Sequence, residues 1–146
     1  MVEFYLDASV IVPLLLVESH SPAISSWVRA NTSSILISDL AATEVSSAIS
    51  LSIRAGRSTE DEARVLLRDF DSWRLALDHS AEIEPEDIRN ADLFVRRFDL
   101  KLRAPDAIHA ATAHRIGATL ITLDRRLLMA ATALGIAAAS PMAAHT

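Results

Sequence analysis

Glu3-Phe4-Tyr5-Leu6-Asp7-Ala8-Ser9 is an apolar run that stops at an acid, and a second apolar run, Val10 to Val17, follows at once. The first run reads as a buried strand that delivers Asp7 to its C-terminal end. The second reads as a helix, Ser9 to Val17, bent or shortened by Pro13. In open α/β sheets, ligands bind in the crevice beyond the C-terminal ends of the strands. What matters for the remainder of the chain is whether other acids reach the same edge.

Working outward, Ile35-Leu36-Ile37 reads as a second buried strand, His79 to Ile83 as a weaker third and Thr119 to Thr122 as a fourth, with Ile136 to Ala139 a final edge strand. Helices are expected between them. Ser21-Pro22 opens one through Ala30, since Pro suits a first turn. Ser38 or Asp39 caps another that runs to about Arg54 and stops near Gly56. Thr59 and Glu62 have capping-box spacing at the head of a helix whose stripe is Val65, Leu66, Phe70 and Trp73. Pro85 starts a helix through about Phe98. Asp106 to Ile116 is ended by Gly117, and Asp124 to Leu134 by Gly135. Strands alternating with helices predict an α/β fold whose parallel sheet is covered on both faces. Residues 1–140 read as a single domain, with 141–146 as a short tail.

The 146 residues suffice for a real core, and 51% are hydrophobic. No cysteine is present, which removes disulfides and thiol chemistry and leaves only oxygen or imidazole ligands for a metal. Net charge is −5 and pI about 5.4, so bulk charge does not advertise a duplex-coating protein. Lys101 is the only lysine; the other basic side chains are Arg, which suits bidentate phosphate contact. No stretch has the length of a membrane span, and Glu3 and Asp7 interrupt any signal-like apolar core, so a soluble, unprocessed, cytoplasmic chain is expected.

Each acid has a plain structural explanation when taken alone. Asp7 and Asp124 follow strands and can cap the helices after them. Asp106 sits in a first turn, where its charge meets the helix dipole favourably. Glu44 lies inside a helix between Ala41 and Ala48, where capping cannot account for it. An acid there belongs on a rim or needs a partner. Together the four converge on one sheet edge, without a lysine nearby. Such carboxylates repel one another, and a hard divalent cation resolves the repulsion. That combination can activate water and stabilise a phosphoryl transition state. The histidines form no zinc set. His109, three residues after Asp106, can approach the site, but reads more naturally as a helix residue on a semi-buried face.

Tyr5-Leu6-Asp7-Ala8-Ser9, Thr43-Glu44-Val45, Pro105-Asp106-Ala107-Ile108-His109-Ala110-Ala111-Thr112-Ala113 and Ile121-Thr122-Leu123-Asp124 resemble, in order and spacing, the four acidic motifs of PIN-domain ribonucleases. Length and order are similar to VapC toxins of bacterial toxin–antitoxin pairs. The resemblance implies a three-layer α/β/α domain around a central parallel sheet. It implies Mg²⁺- or Mn²⁺-dependent endonucleolytic cleavage of RNA, leaving a 3′-hydroxyl and a 5′-phosphate. It makes Asp7 and Asp106 the direct metal ligands, with Glu44 and Asp124 holding metal or its waters, and puts the hydroxyls of Ser9 and Thr122 beside them. It also implies a homodimer, a VapB-type antitoxin whose tail covers the site, and operator DNA reached only through that antitoxin. Leu123 stands where many relatives carry a further Asn or Asp, so one metal is a firmer expectation than two. Arg103, Arg125 and Arg126 flank the site and are candidates for RNA phosphate contacts.

Other readings stay open at this point. A housekeeping PIN nuclease in RNA processing would carry the same residues. A catalytically inactive binding module of the same fold would usually have lost an acid, and all four are present. A phosphoacceptor or phosphatase-like domain would need a second acid beside Asp7 and a phosphate-pairing lysine. Position 9 is Ser instead, and Lys101 follows no strand end.

Overall fold

A computed structural model describes residues 2–142; Met1 and the last four residues of the expected tail, His145 among them, lie outside the described residues. The central strand is β1 (Phe4–Leu6), flanked by β2 (Ile35–Leu36) and β3 (Thr119–Ile121), with β4 (Ala138–Ala139) beyond β3. The order is β2-β1-β3-β4 and every pairing is parallel.

Because side chains alternate across a strand, β1, β2 and β3 each feed two cores. Tyr5, Leu36 and Leu120 point into one, packed by the alanine-rich faces of α5 (Pro85–Val95), α6 (Ala104–Ile116) and α7 (Arg125–Ala133). Leu6, Ile35 and Ile121 point into the other, packed by α1 (Ala8–Leu15), α2 (Ser21–Asn31), α3 (Asp39–Arg54) and α4 (Glu60–Leu75). This is the expected three-layer α/β/α arrangement around a parallel sheet. Ser38, rather than Asp39, caps α3 by accepting from the Ala41 N–H, and the Thr59–Glu62 capping box opens α4.

Two expectations are corrected. His79 to Ile83 is not a strand: only one parallel bridge forms, Ser38 with Ala81. Ala81 is the sole residue of that run to enter a core, so burial cannot hold a longer ladder there. The helix from Pro85 stops at Val95, short of Phe98. Phe98 instead opens a 3-10 turn, Phe98–Leu100, and its ring is 82% exposed. Lys101 closes the turn in the left-handed region, at φ 54°. Phe98 therefore shared the helical register without sharing the burial that normally explains it.

The α5–α6 packing carries an ion pair in which Asp87 is buried and Arg115 is partly exposed. Arg115 donates to both Asp87 oxygens at 2.8 and 3.0 Å and to the Glu82 carbonyl at 2.6 Å. The Glu84 N–H also donates to Asp87, at 2.9 Å. Burial alone would push the Asp87 carboxyl up, but the Arg115 hydrogen bonds and charge and the Glu84 N–H hold it below the usual carboxylate range. Asp87→Ala is expected to cost about 2 kcal/mol in urea melts at neutral pH, because it removes the acceptor that the Arg115 guanidinium and the Glu84 N–H share. With the folded pKa depressed, the wild-type contribution is fully present above the unfolded value and lost as pH falls through the folded one. The gap between wild type and variant should therefore close in strong acid. A gap that is unchanged there would contradict the assignment.

Candidate active site

Asp7 is the residue at which β1 ends. Its N–H still donates to the Ile121 carbonyl of β3, at 3.2 Å, so the sheet pins the backbone before α1 turns away. Its carboxylate is almost entirely buried. Oδ1 accepts from the Ser9 N–H at 3.0 Å and the Ser9 hydroxyl at 2.5 Å, while Oδ2 accepts from the Thr122 hydroxyl at 2.6 Å. Asp7 thus is the helix cap that local sequence suggests, but it is also reached from a second strand. Burial pushes its carboxyl above the ordinary value; Ser9 and Thr122 draw it back in part, and the charge of Asp106 adds to the rise. Ser9 and Thr122 brace this acid and each other's loops. Ser9 Oγ accepts from the Leu123 N–H at 2.8 Å, and Thr122 Oγ1 from the Asp124 N–H at 3.0 Å.

Asp124 caps α7, with Oδ1 accepting from the N–H groups of Arg126 and Leu127. Asp106 lies in the first turn of α6, half-buried, with Arg103 Nε 3.6 Å from its Oδ2. Burial pushes its carboxyl up, Arg103 draws it down, and Asp124 and Glu44 push it up again. Glu44 projects from α3 and accepts a hydrogen bond from His109 of α6. The four acids therefore come from β1, α3, α6 and the β3–α7 junction, and Asp106 lies within electrostatic reach of the other three.

Arg103, Arg125 and Arg126 line one cleft of about 840 Å³ together with Asp106 and Asp124. Lys101 lines it too, which corrects the expectation of a site without a lysine nearby: the left-handed turn brings it round. His109 departs further from expectation. It is fully buried rather than semi-buried, and it contacts an acid of the site directly. Its spacing of three from Asp106 was the available signal, since positions three apart share a helix face.

The donor set suits a hard divalent cation. Each carboxylate oxygen can accept about two hydrogen bonds. Among the described residues, Asp7 Oδ2 has one partner, and Asp124 Oδ2, Asp106 Oδ1 and Glu44 Oε2 have none. No three His, Asp or Glu side chains among the described residues are already gathered closely enough to hold an ion by themselves. Mg²⁺ needs only one or two carboxylates directly and keeps several waters, so this looser acidic set fits it.

The chain matches the PIN domain over residues 4–133. It belongs to the PIN-domain family. This PIN domain is 34% identical over 144 residues to Ribonuclease VapC46 of Mycobacterium tuberculosis, covering 97% of this chain and 99% of the relative. Its fold is similar to FitAcB from Neisseria gonorrhoeae (TM-score 0.76, 18% identity, 98% and 99% of the two chains). It is also similar to DNA-bound VapBC from Salmonella typhimurium (TM-score 0.72, 16% identity, 97% and 99%).

In the metal-free PIN domain, Asp7 and Asp106 hold protons more tightly folded than unfolded. Metal-free stability must then fall as pH rises from the ordinary carboxylate value toward the raised folded values. At neutral pH the buried Asp7 charge is a cost. Asp7→Asn should melt in EDTA at or above the wild-type temperature, since the amide can still accept from Ser9 and Thr122 can turn its hydroxyl to accept. A variant melting well below wild type in EDTA would make the charged cap the dominant role of Asp7.

Proposed function

We propose that this chain is a divalent-cation-dependent endoribonuclease, the toxin of a toxin–antitoxin pair, with Asp7, Glu44, Asp106 and Asp124 as its catalytic acids. One observation carries the reading: Asp106 and Asp124 line a cleft together with Arg103, Arg125, Arg126 and Lys101, and Asp7 and Glu44 lie within electrostatic reach of Asp106. Acids alone would repel a phosphodiester, and basic residues alone would bind it without cutting. Their juxtaposition suits RNA hydrolysis, and the curated relative is a ribonuclease.

In this reading Asp7 and Asp106 hold Mg²⁺ or Mn²⁺ directly, and Glu44 and Asp124 act through its waters. When bound, the ion supplies a water of lowered pKa and neutralises charge on the scissile phosphate. Ser9 and Thr122 keep Asp7 oriented through their hydroxyls. The three arginines and Lys101 orient the RNA backbone, leaving 3′-hydroxyl and 5′-phosphate ends. A housekeeping nuclease is the second reading, but the relative at 34% identity is a VapC ribonuclease, which favours the toxin.

The proposed inhibitor is a VapB-type antitoxin that places a cationic side chain among the acids. Its apolar segment would lie in the groove between α1 and α3, lined by Val12, Leu16, Val17, Ala48 and Leu51. Operator DNA would be bound only through that antitoxin, and the toxin would act in the cytoplasm as a homodimer. Light scattering of the free chain tests the dimer, which a monomer mass would contradict.

The test is an RNA cleavage assay in EDTA and in Mg²⁺. Wild type should cut only with the cation, and Asp106→Asn should not cut at any Mg²⁺ concentration. Arg126→Ala should raise KM severalfold with kcat little changed. With antitoxin added, Leu51→Asp should keep cutting where wild type is silenced. Equal cleavage in EDTA would refute the metal-dependent reading, and full inhibition of Leu51→Asp would refute the groove.

A further inference from the structure

Beside the acids runs an unbroken hydrogen-bonded chain. Ser38 Oγ lies 2.8 Å from the Tyr5 hydroxyl, which lies 2.6 Å from His109 Nδ1, and His109 Nε2 meets Glu44 Oε1. Ser38, Tyr5 and His109 are fully buried. Counting donors sets the direction. Ser38 Oγ already accepts from the Ala41 N–H at 3.1 Å, so its own proton is free to go to Tyr5. Tyr5 then gives its proton to Nδ1, and the ring proton on Nε2 goes to the Glu44 carboxylate. Every polar atom is satisfied by this one arrangement, and the Tyr5 phenol is held protonated by burial.

The chain also joins the elements that carry the acids. Tyr5 stands two residues before Asp7 on β1, and His109 one turn after Asp106 on α6. Ser38 caps α3, six residues before Glu44. Glu44 and His109 come from helices packed on opposite faces of the sheet, so their contact crosses the layers at its C-terminal edge.

We infer that His109 is a positioning residue of this site: its Nε2–H fixes one oxygen of Glu44 and leaves the other, Oε2, to the cation's water shell beside Asp106. The inference rests on the metal-dependent reading above. Losing the partner of a direct ligand typically costs about ten- to a hundredfold in metal affinity, and a partner of a carboxylate that holds the ion's waters is expected at the low end of that range.

The experiment measures Mn²⁺ affinity by electron paramagnetic resonance, with RNA kinetics beside it. His109→Leu should bind Mn²⁺ about tenfold more weakly, with lower kcat and unchanged KM for RNA. His109→Gln, whose amide can donate from about the Nε2 position, should return close to wild type. If His109→Leu does not fold, Tyr5→Phe carries the test: it removes the donor to Nδ1 and should weaken Mn²⁺ binding in the same direction, by less. Wild-type Mn²⁺ affinity in a folded His109→Leu or, failing that, in Tyr5→Phe overturns the inference alone. So does a His109→Gln as weak as His109→Leu. A wild type that binds no Mn²⁺ overturns the metal-dependent reading and this inference with it.

Discussion

A carboxylate withdrawn from water at the end of the central strand is the constraint on which the site depends. Burying Asp7 is costly unless its oxygens are occupied, and no residue of β1 can occupy both. The solution is the register of β1 against β3. Leu6 pairs with Ile121, which sets Asp7 beside Thr122, whose hydroxyl closes on Oδ2. Ser9 takes Oδ1 from the other side and holds the Leu123 N–H as well. Slipping that register by one residue would exchange Leu6 and Tyr5 between the two cores and break the bonds from Thr122 to Asp7 and from Leu123 to Ser9.

A second constraint works across the sheet. The helical layers meet the sheet through separate apolar clusters, and aliphatic packing gives no directional link between α3 and α6. His109 and Glu44 supply that link. A short polar chain thus ties the strand, the helix cap and two helices into one unit, each with an acid nearby. The Asp87–Arg115 pair does comparable work for α5 and α6 away from the acids, where the cost of burying the carboxylate is offset by four hydrogen bonds to the carboxylate and the guanidinium together.

Much of this was legible from residues alone because its cause is local. Phe4 to Asp7 and Thr119 to Asp124 show an apolar run ending at an acid, and that pattern needs no partner to be read. Glu44 between Ala41 and Ala48 read as an acid on a rim or with a partner, and it is partly exposed and paired with His109. What could not be read depends on pairings distant in sequence. Nothing near His109 says that Tyr5 and Ser38 will meet it, because those contacts exist only once β1, α3 and α6 are packed. Lys101 looked remote because a non-glycine residue gives no warning that it will adopt a left-handed turn. His79 to Ile83 misled in the opposite way: its strand-like spacing lacked the buried partners that make a strand persist.

The central claim is that the acids held at this edge form one cation site. Anomalous scattering from crystals soaked in Mn²⁺ tests it most directly. The account predicts a peak between the carboxylates of Asp7 and Asp106, with Glu44 and Asp124 facing its water ligands. A peak on other acids, or none among these four at saturating Mn²⁺, would contradict it.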